Sequence, residues 1–236
     1  MNKVAIVTSA TGEFNKEHKW IEQSIPSDLF VFNDKTFPPR SCAITPRLQA
    51  RIAKMFCWQM APGYEYYIWY DNSLEISSDK VTEWFMSKLG DADAIFLRHP
   101  KRKTVKEEWE YIKQLESENN YYITPRYKGE YGDEEIAEIY ADKNYTDNLL
   151  IASTTFMCRN NERVRAMMKE WWYHTSRYHI VDQLGLPYSI YKSGCKVNII
   201  DDNYLHLEHL PHVRKAHKKI IWKRKGNDKT YVKELC

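Results

Sequence analysis

The fold turns on the stretch Tyr66-Tyr67-Ile68-Trp69-Tyr70-Asp71-Asn72-Ser73-Leu74-Glu75-Ile76. Five residues of strand-forming type run into Asp71, two polar residues follow, and an apolar–acid–apolar triplet resumes the extended pattern. A buried strand that ends on a carboxylate delivers it to the C-terminal edge of a sheet, where open α/β folds bind their ligands. A hard divalent cation that chelates a diphosphate needs a rigid oxygen ligand of this kind, with a second polar side chain one or two residues on. Asp71 is therefore a candidate metal ligand, and Asn72 and Ser73 are candidate polar contacts beside it. An Asp opening a turn after a strand is also a common local device, so its surroundings have to decide.

Upstream, residues 4–8 form a short apolar run that enters a polar loop, Thr8-Ser9-Ala10-Thr11-Gly12. That loop is either a base- and ribose-binding loop, with Thr8 in it, or a simple strand-to-helix turn. Residues 28–34 read as a second strand that also ends in polar residues. Pro46 suits the first position of a helix running to about Met60. Arg47, Arg51 and Lys54 fall at i, i+4 and i+7, so three cations line one side. Ahead of the Asp71 strand such a ridge suits a diphosphate; without Asp71 it would be a solvated face.

Downstream, residues 81–89 read as a short amphipathic helix, 92–97 as a buried strand and 104–117 as a surface helix. Residues 118–149 are Tyr-rich and hard to read, with a helix expected at 134–140. A strand over 149–158, helices over 161–173 and 182–192, and a strand over 196–200 complete the alternation. That order predicts an α/β fold built on one mixed or parallel sheet. Residues 218–236 are basic and peripheral.

Composition narrows the class. At 236 residues, 43% hydrophobic and 28% charged, the chain suits one globular α/β domain or at most two small ones. A net charge of only +3 argues against a general nucleic-acid coat. Five cysteines, an odd number without CxxC spacing, argue against a zinc site or disulfide framework and point to a reducing cytoplasm. The N-terminus enters a strand directly, with no signal-peptide core, and no apolar run is long enough to cross a bilayer.

Four polar clusters fall at strand ends or helix starts: Asp71-Asn72-Ser73, Arg98-His99-Pro100-Lys101-Arg102, Asp182-Gln183, and His212-Val213-Arg214-Lys215-Ala216-His217-Lys218. One rim of an α/β sheet gathers such points. Together they hold a metal carboxylate, a His able to complete a metal shell, cations for phosphates and an acid. Transfer of a sugar from a nucleoside diphosphate needs these parts. Metal and cations stabilise the departing diphosphate, and a carboxylate either takes the acceptor's proton or steadies an oxocarbenium-like centre. Structural alternatives stand beside each: His99 as a strand cap, Asp182 as a helix N-cap, Trp171-Trp172 as core, and His206, His209, His212 and His217 as a surface cluster.

Asp71-Asn72-Ser73 resembles a reduced Asp-x-Asp motif, and Arg51-x-x-Lys54-x-x-Cys57-Trp58-x-Met60 resembles the approach to the metal site of glycogenin-like glycosyltransferases. The chain is most similar to the glycosyltransferase-like family of the plant turgor-regulation-defect and mucilage-related proteins, with bacterial and phage relatives. The similarity rests on Ala50-Arg51-x-x-Lys54, Ile68-Trp69-Tyr70-Asp71, Arg98-His99-Pro100-x-Arg102, Asp182-Gln183-Leu184 with Pro187-Tyr188, and His212-x-Arg214-Lys215-Ala216. These motifs keep family order over residues 4–218.

The resemblance implies a single GT-A-like domain over residues 1–218, with a mixed, mostly parallel sheet and a basic tail at 219–236. It implies a nucleotide-sugar donor, uridine as the base, Mn²⁺ or Mg²⁺ as cofactor, and a glycan, protein or modified-DNA acceptor. Asp71 and His212 would hold the metal. Arg214, Lys215 and Lys218 would neutralise the diphosphate, while Thr8, Arg51, Lys54, Trp69, Asn72, Ser73 and Gln183 would line the donor. Asp182, beside the transferred sugar, would join His99 and Arg102 as the catalytic set. Two departures from the family pattern stand out: Ser73 replaces the second acid, and His217-Lys218 stands where the family has Lys-Pro. A fold that kept its binding surface and lost its chemistry, and a nucleic-acid-binding protein using Tyr, Lys and Arg surfaces, are the competing classes.

Overall fold

A computed structural model describes residues 3–12, 17–37, 44–127, 129–178 and 181–201, together with the backbone of 213–215, 220–224 and 231–235. In chain order the elements are β1 (Val4–Ala10), β2 (Ser27–Asn33), α1 (Pro46–Met55), α2 (Cys57–Met60), β3 (Tyr66–Tyr70), β4 (Leu74–Ile76), α3 (Val81–Leu89), β5 (Ala94–Arg98) and α4 (Val105–Ser117). There follow α5 (Thr124–Tyr127), α6 (Gly132–Ala141), β6 (Ile151–Arg159), α7 (Glu162–Arg177), α8 (Gly185–Ser193), β7 (Val197–Ile200), β8 (Val213–Lys215), β9 (Ile220–Arg224) and β10 (Tyr231–Leu235).

Six strands form the central sheet in the order β2-β1-β3-β6-β5-β7. β1 runs parallel to β2 and β3, and β5 parallel to β7, while β6 runs against both its neighbours. The fold is thus α/β with a mixed, mostly parallel sheet. The reversal of β6 matters for the site. Its first residues lie beside the C-terminal ends of β3 and β5, with Tyr70 opposite Thr155 and Arg98 opposite Ile151.

Every residue of β1 is buried, as expected for a strand covered on both faces. Period-2 alternation divides the apolar side chains between two layers. Ala5, Val7, Tyr67, Trp69, Phe96 and Phe156 pack against α1, α2, α7 and α8. Val4, Ile6, Ile68, Tyr70, Ile95 and Leu97 pack against α3 on the opposite face. A third apolar group joins α4, α6 and α8 around Trp109, Leu150 and Leu184.

Several elements depart from the sequence expectation. The helix opened by Pro46 breaks at Phe56, whose backbone leaves the helical region (φ −122°, ψ 36°) and separates α1 from α2. The triplet after Ser73 does not rejoin the central sheet. It forms β4, paired antiparallel with β8. Asp182 caps no helix, because α8 starts at Gly185 with Leu184 in the cap position. The basic C-terminal stretch, for which the sequence offered no element, contributes the antiparallel pair β9 and β10. Among the described residues no helix is long and apolar enough to cross a membrane.

Candidate active site

Asp71 follows β3 directly and is pinned by its own backbone: its N–H donates to the Thr154 carbonyl (2.7 Å), and its carbonyl accepts from Leu74 N–H (2.8 Å). Trp69, two residues back on the same strand face, donates its indole N–H to Asp71 Oδ1 (2.8 Å). Beneath lies Lys54, whose ammonium is 3.5 Å from Asp71 Oδ1 and 2.7 Å from Asp182 Oδ2. Its side chain is fully buried between the rings of Trp69 and Trp171, at 5.6 and 5.2 Å from their centroids. An ammonium over two aromatic faces keeps part of the stabilisation it loses on leaving water.

Besides Lys54, three residues hold Asp182. Arg51, one turn before Lys54 on α1, places Nε 3.1 Å from Oδ2, an ion pair without hydrogen-bond alignment. Ser153 on β6 donates to Oδ1 (2.8 Å), and the Trp171 indole donates to the Asp182 carbonyl (2.5 Å). Burial alone would raise the Asp182 carboxyl, but the charges of Arg51 and Lys54 hold it below its ordinary value. Burial likewise opposes the charge on Arg51, and Asp182 and then Asp71 more than offset it.

Two cations and two carboxylates therefore cancel at the rim, as buried charges must. They are not equally covered. Side chains of Lys54 and Asp182 are 0% and 6% exposed, whereas those of Arg51 and Asp71 are 21% and 27% exposed. One carboxylate and one guanidinium thus face outward. Among the described residues no group of three His, Cys, Asp or Glu side chains is close enough to hold a metal by itself. A hard cation that arrives on a diphosphate needs only one or two protein carboxylates, and Asp71 fits that requirement.

Beyond Asp71, Asn72 Oδ1 accepts from His18 Nε2 (2.8 Å), and His18 Nδ1 accepts from the buried Tyr70 hydroxyl (3.1 Å). Ser73 is exposed. Thr8 is fully buried, and its hydroxyl has no partner among the described residues. The Gln183 amide donates to the Ile151 carbonyl (3.2 Å) at the start of β6. Arg214 and Lys215 lie in β8, whose backbone faces Glu75 and Leu74 just past the Asp71 turn. His212 and Lys218 lie outside the described residues, as do His206, His209 and His217.

His99 and Arg102 form a neighbouring cluster at the end of β5. His99 N–H donates to the Leu150 carbonyl (2.9 Å), while Nδ1 accepts from the backbone of Arg102 (3.0 Å) and Lys101 (3.3 Å). Arg102 binds the Glu108 carboxylate and stacks on Tyr111, 4.1 Å from its centroid. Burial, helped by the Arg102 charge, pulls the His99 imidazole down to about 4, so it is neutral at pH 7.

Sequence reasoning did not find several members of this rim. His18 carries no local signal, since its role depends on a contact with residue 72. Ser153 is the first of three consecutive hydroxyl residues in its strand, Ser153-Thr154-Thr155, and nothing local singles it out. Arg126 lies in the Tyr-rich segment, stacked 3.5 Å above Tyr122. Burial and then the like charge of Arg126 pull Arg47 below its ordinary value.

The family model of the TOD1/MUCI70 glycosyltransferase-like domain matches residues 43–208, a span that includes Arg51, Lys54, Asp71, His99 and Asp182. No curated protein matches the chain. Among solved structures, similarity is found to a glycosyltransferase involved in glycosylation of the major capsid of PBCV-1, at 8% identity over 84% of this chain and 81% of that one, with a TM-score of 0.42. Mouse xyloside xylosyltransferase 1 in its apo form gives 12% identity, 83% and 84% coverage and a TM-score of 0.42. The 4-diphosphocytidyl-2C-methyl-D-erythritol synthase of Anaerococcus prevotii gives 10% identity, 86% and 90% coverage and a TM-score of 0.41. The chain belongs to the TOD1/MUCI70 glycosyltransferase-like family, and sugar transfer is the general class of activity that goes with membership.

Proposed function

We propose that this chain moves a sugar from a nucleoside diphosphate, with uridine as the base, to a glycan, protein or modified-DNA acceptor with the help of Mn²⁺ or Mg²⁺. The observation that carries the reading is the Lys54 ammonium, which joins Asp71 and Asp182 beneath one rim although the three residues are far apart in sequence. Asp71 holds the divalent ion that arrives with the diphosphate. When bound, the ion neutralises charge on the departing diphosphate. Arg51 and Asn72 face the donor, with Ser73 and Gln183 around it; Thr8, expected in a donor loop, is instead fully buried inside β1 and, like Lys54, does not meet the donor directly. By the family resemblance Arg214, Lys215 and Lys218 would neutralise the phosphates and His212 would complete the metal shell.

Lys54 is too deeply buried to meet the donor directly, so it acts by fixing Asp71 and Asp182, with Trp69 as its platform. A carboxylate kept ionised by two cations is a weak proton acceptor. Asp182 therefore suits stabilisation of positive charge on the transferred sugar better than deprotonation of an acceptor. His99 and Arg102 brace the adjacent strand end. Residues 1–218 make the transferase domain, with 219–236 appended. A cytoplasmic site of action is the compartment that five cysteines without CxxC spacing suit.

Hydrolysis of a panel of nucleotide sugars, with and without Mn²⁺, tests this. A uridine diphosphate sugar should turn over only with metal, and Asp71→Ala should lower the rate at least about a hundredfold. Undiminished turnover in that variant would refute the assignment. A second reading, a binding module that lost its chemistry, is favoured by the Lys54 ammonium standing against the Asp71 oxygen where a metal would approach. It expects nucleotide binding with no turnover.

A further inference from the structure

Beside α8 lies a cavity of about 290 Å³, lined by Asn144, Tyr145, Thr146 and Asn148 from the segment before β6, and by Pro187 and Tyr191 among the residues of α8. Its walls are fixed by hydrogen bonds. Asp142 accepts from the backbone of Asn144 (3.0 Å) and Tyr145 (3.2 Å), and Thr146 from that of Asn148 (3.1 Å). Asp147 turns its carboxylate to the first N–H groups of α4, at Val105 (2.9 Å) and Lys106 (3.1 Å). Both acids are thereby engaged by the backbone, and every residue that lines the cavity is uncharged.

Place and chemistry point to one kind of occupant. Leu149, also in the lining, runs into Leu150 and Ile151, whose carbonyls take His99 N–H and the Gln183 amide. Pro187 follows Asp182 by five residues. The cavity is therefore built on the segment that follows Asp182 and the one that leads into the strand carrying Ser153. It falls just below the range of ligand pockets, roughly 300–1,000 Å³, so it suits one ring and not a whole nucleotide sugar. Without a cation in its lining it offers nothing to a phosphate or a nucleic-acid backbone. Tyr191 is 42% exposed and packs 5.4 Å from Tyr145, giving an accessible aromatic face with a supported back. Asn amides both donate and accept, which matches hydroxyl groups.

We propose that this cavity is an acceptor subsite that takes one neutral sugar ring of a glycan, its C–H face on Tyr191 and its hydroxyls on Asn144, Thr146 and Asn148. The assignment rests on the transferase reading above and selects glycan among the acceptors considered there.

The test is retention of the full chain on immobilised oligosaccharides, both neutral and uronic-acid, and on single-stranded DNA, with neither donor nor metal present. Neutral oligosaccharides should retain it. Tyr191→Ala and Asn148→Ala should each weaken retention about tenfold, the equivalent of ~1.4 kcal/mol, while Tyr191→Phe should hold it within about twofold. Both altered residues are exposed, so neither substitution opens the core. Absence of donor hydrolysis with neutral-glycan retention intact would sink the transferase reading and leave the cavity as a sugar-binding site alone. Donor hydrolysis with no neutral-glycan retention, or with retention indifferent to Tyr191→Ala and Asn148→Ala, overturns the subsite alone. Retention on DNA or uronic-acid chains instead of neutral ones also overturns it.

Discussion

Asp93 and Asp182 are both buried carboxylates, one at each end of the central sheet, and they are satisfied in different ways. Asp93 precedes β5 and accepts from Arg163 Nε (2.8 Å) and Nη2 (2.9 Å), Asn161 Nδ2 (2.7 Å) and Lys196 N–H (2.9 Å). Four donors fill a carboxylate's capacity, and the one charged partner is half in solvent. That cluster is closed: it ties β5, β7 and the start of α7 together and offers nothing further. Asp182 instead shares Lys54 with a second carboxylate, and the cluster leaves Asp71 and Arg51 facing out. Burial and charge alone do not mark a site. What separates the two ends is unspent binding capacity.

The sharpest way to break this contrast is to remove Lys54. Lys54→Ala leaves Asp182 without its closest cation in a dry setting and should cost about 3–5 kcal/mol of stability by urea unfolding. A loss under about 1 kcal/mol would mean that the open cluster does not depend on its central ammonium.

The neighbouring His99 gives a pH signature. Its pKa in the folded chain, about 4, lies below the ordinary value of 6.5. A depressed pKa means that the stabilisation is fully present above about 6.5 and is lost as pH falls toward 4. At about 1.4 kcal/mol per pKa unit, roughly 3 kcal/mol should disappear across that window. His99→Gln should flatten the profile in unfolding measurements at pH 5 and 7, and an unchanged slope would place the titration elsewhere.

The closed cluster should respond more mildly. Asp93→Asn keeps the shape and weakens hydrogen bonds to a charged acceptor, for a cost of about 2 kcal/mol. Arg163 above all holds the Asp93 carboxyl down to about 2. Its contribution is complete above about 4 and lost as pH falls through about 2, so the variant should be less sensitive to acid. Donor hydrolysis should be unchanged, and a fall of tenfold or more would erase the distinction between the two ends.

Much of this frame can be read from the chain. Strands β1 and β3 announce themselves as continuous apolar runs because both faces are covered, and Asp71 is visible as the residue that ends one. The reversal of β6 is not visible, since strand patterning carries no direction. Nor is the burial of Lys54: its alignment with Arg47 and Arg51 reads as a cationic ridge open to a diphosphate, whereas the two tryptophans from β3 and α7 enclose its ammonium and bury it. The Lys54–Asp182 contact spans 128 residues and depends on α1 and α7 packing on one face of the sheet. His18 reaches Asn72 across a loop and leaves no pattern at all. The late His-Arg-Lys motif was legible as a cluster, but of it the fold describes only the backbone of 213–215, laid against β4.

The most direct test of the open cluster as a donor site is calorimetry of uridine diphosphate binding to the full chain and to Asp71→Asn, each with and without Mn²⁺. The expected result is heat that requires the metal in the unmodified chain and vanishes in the variant. Equal heat with and without metal, or a variant that binds as the unmodified chain does, would contradict it.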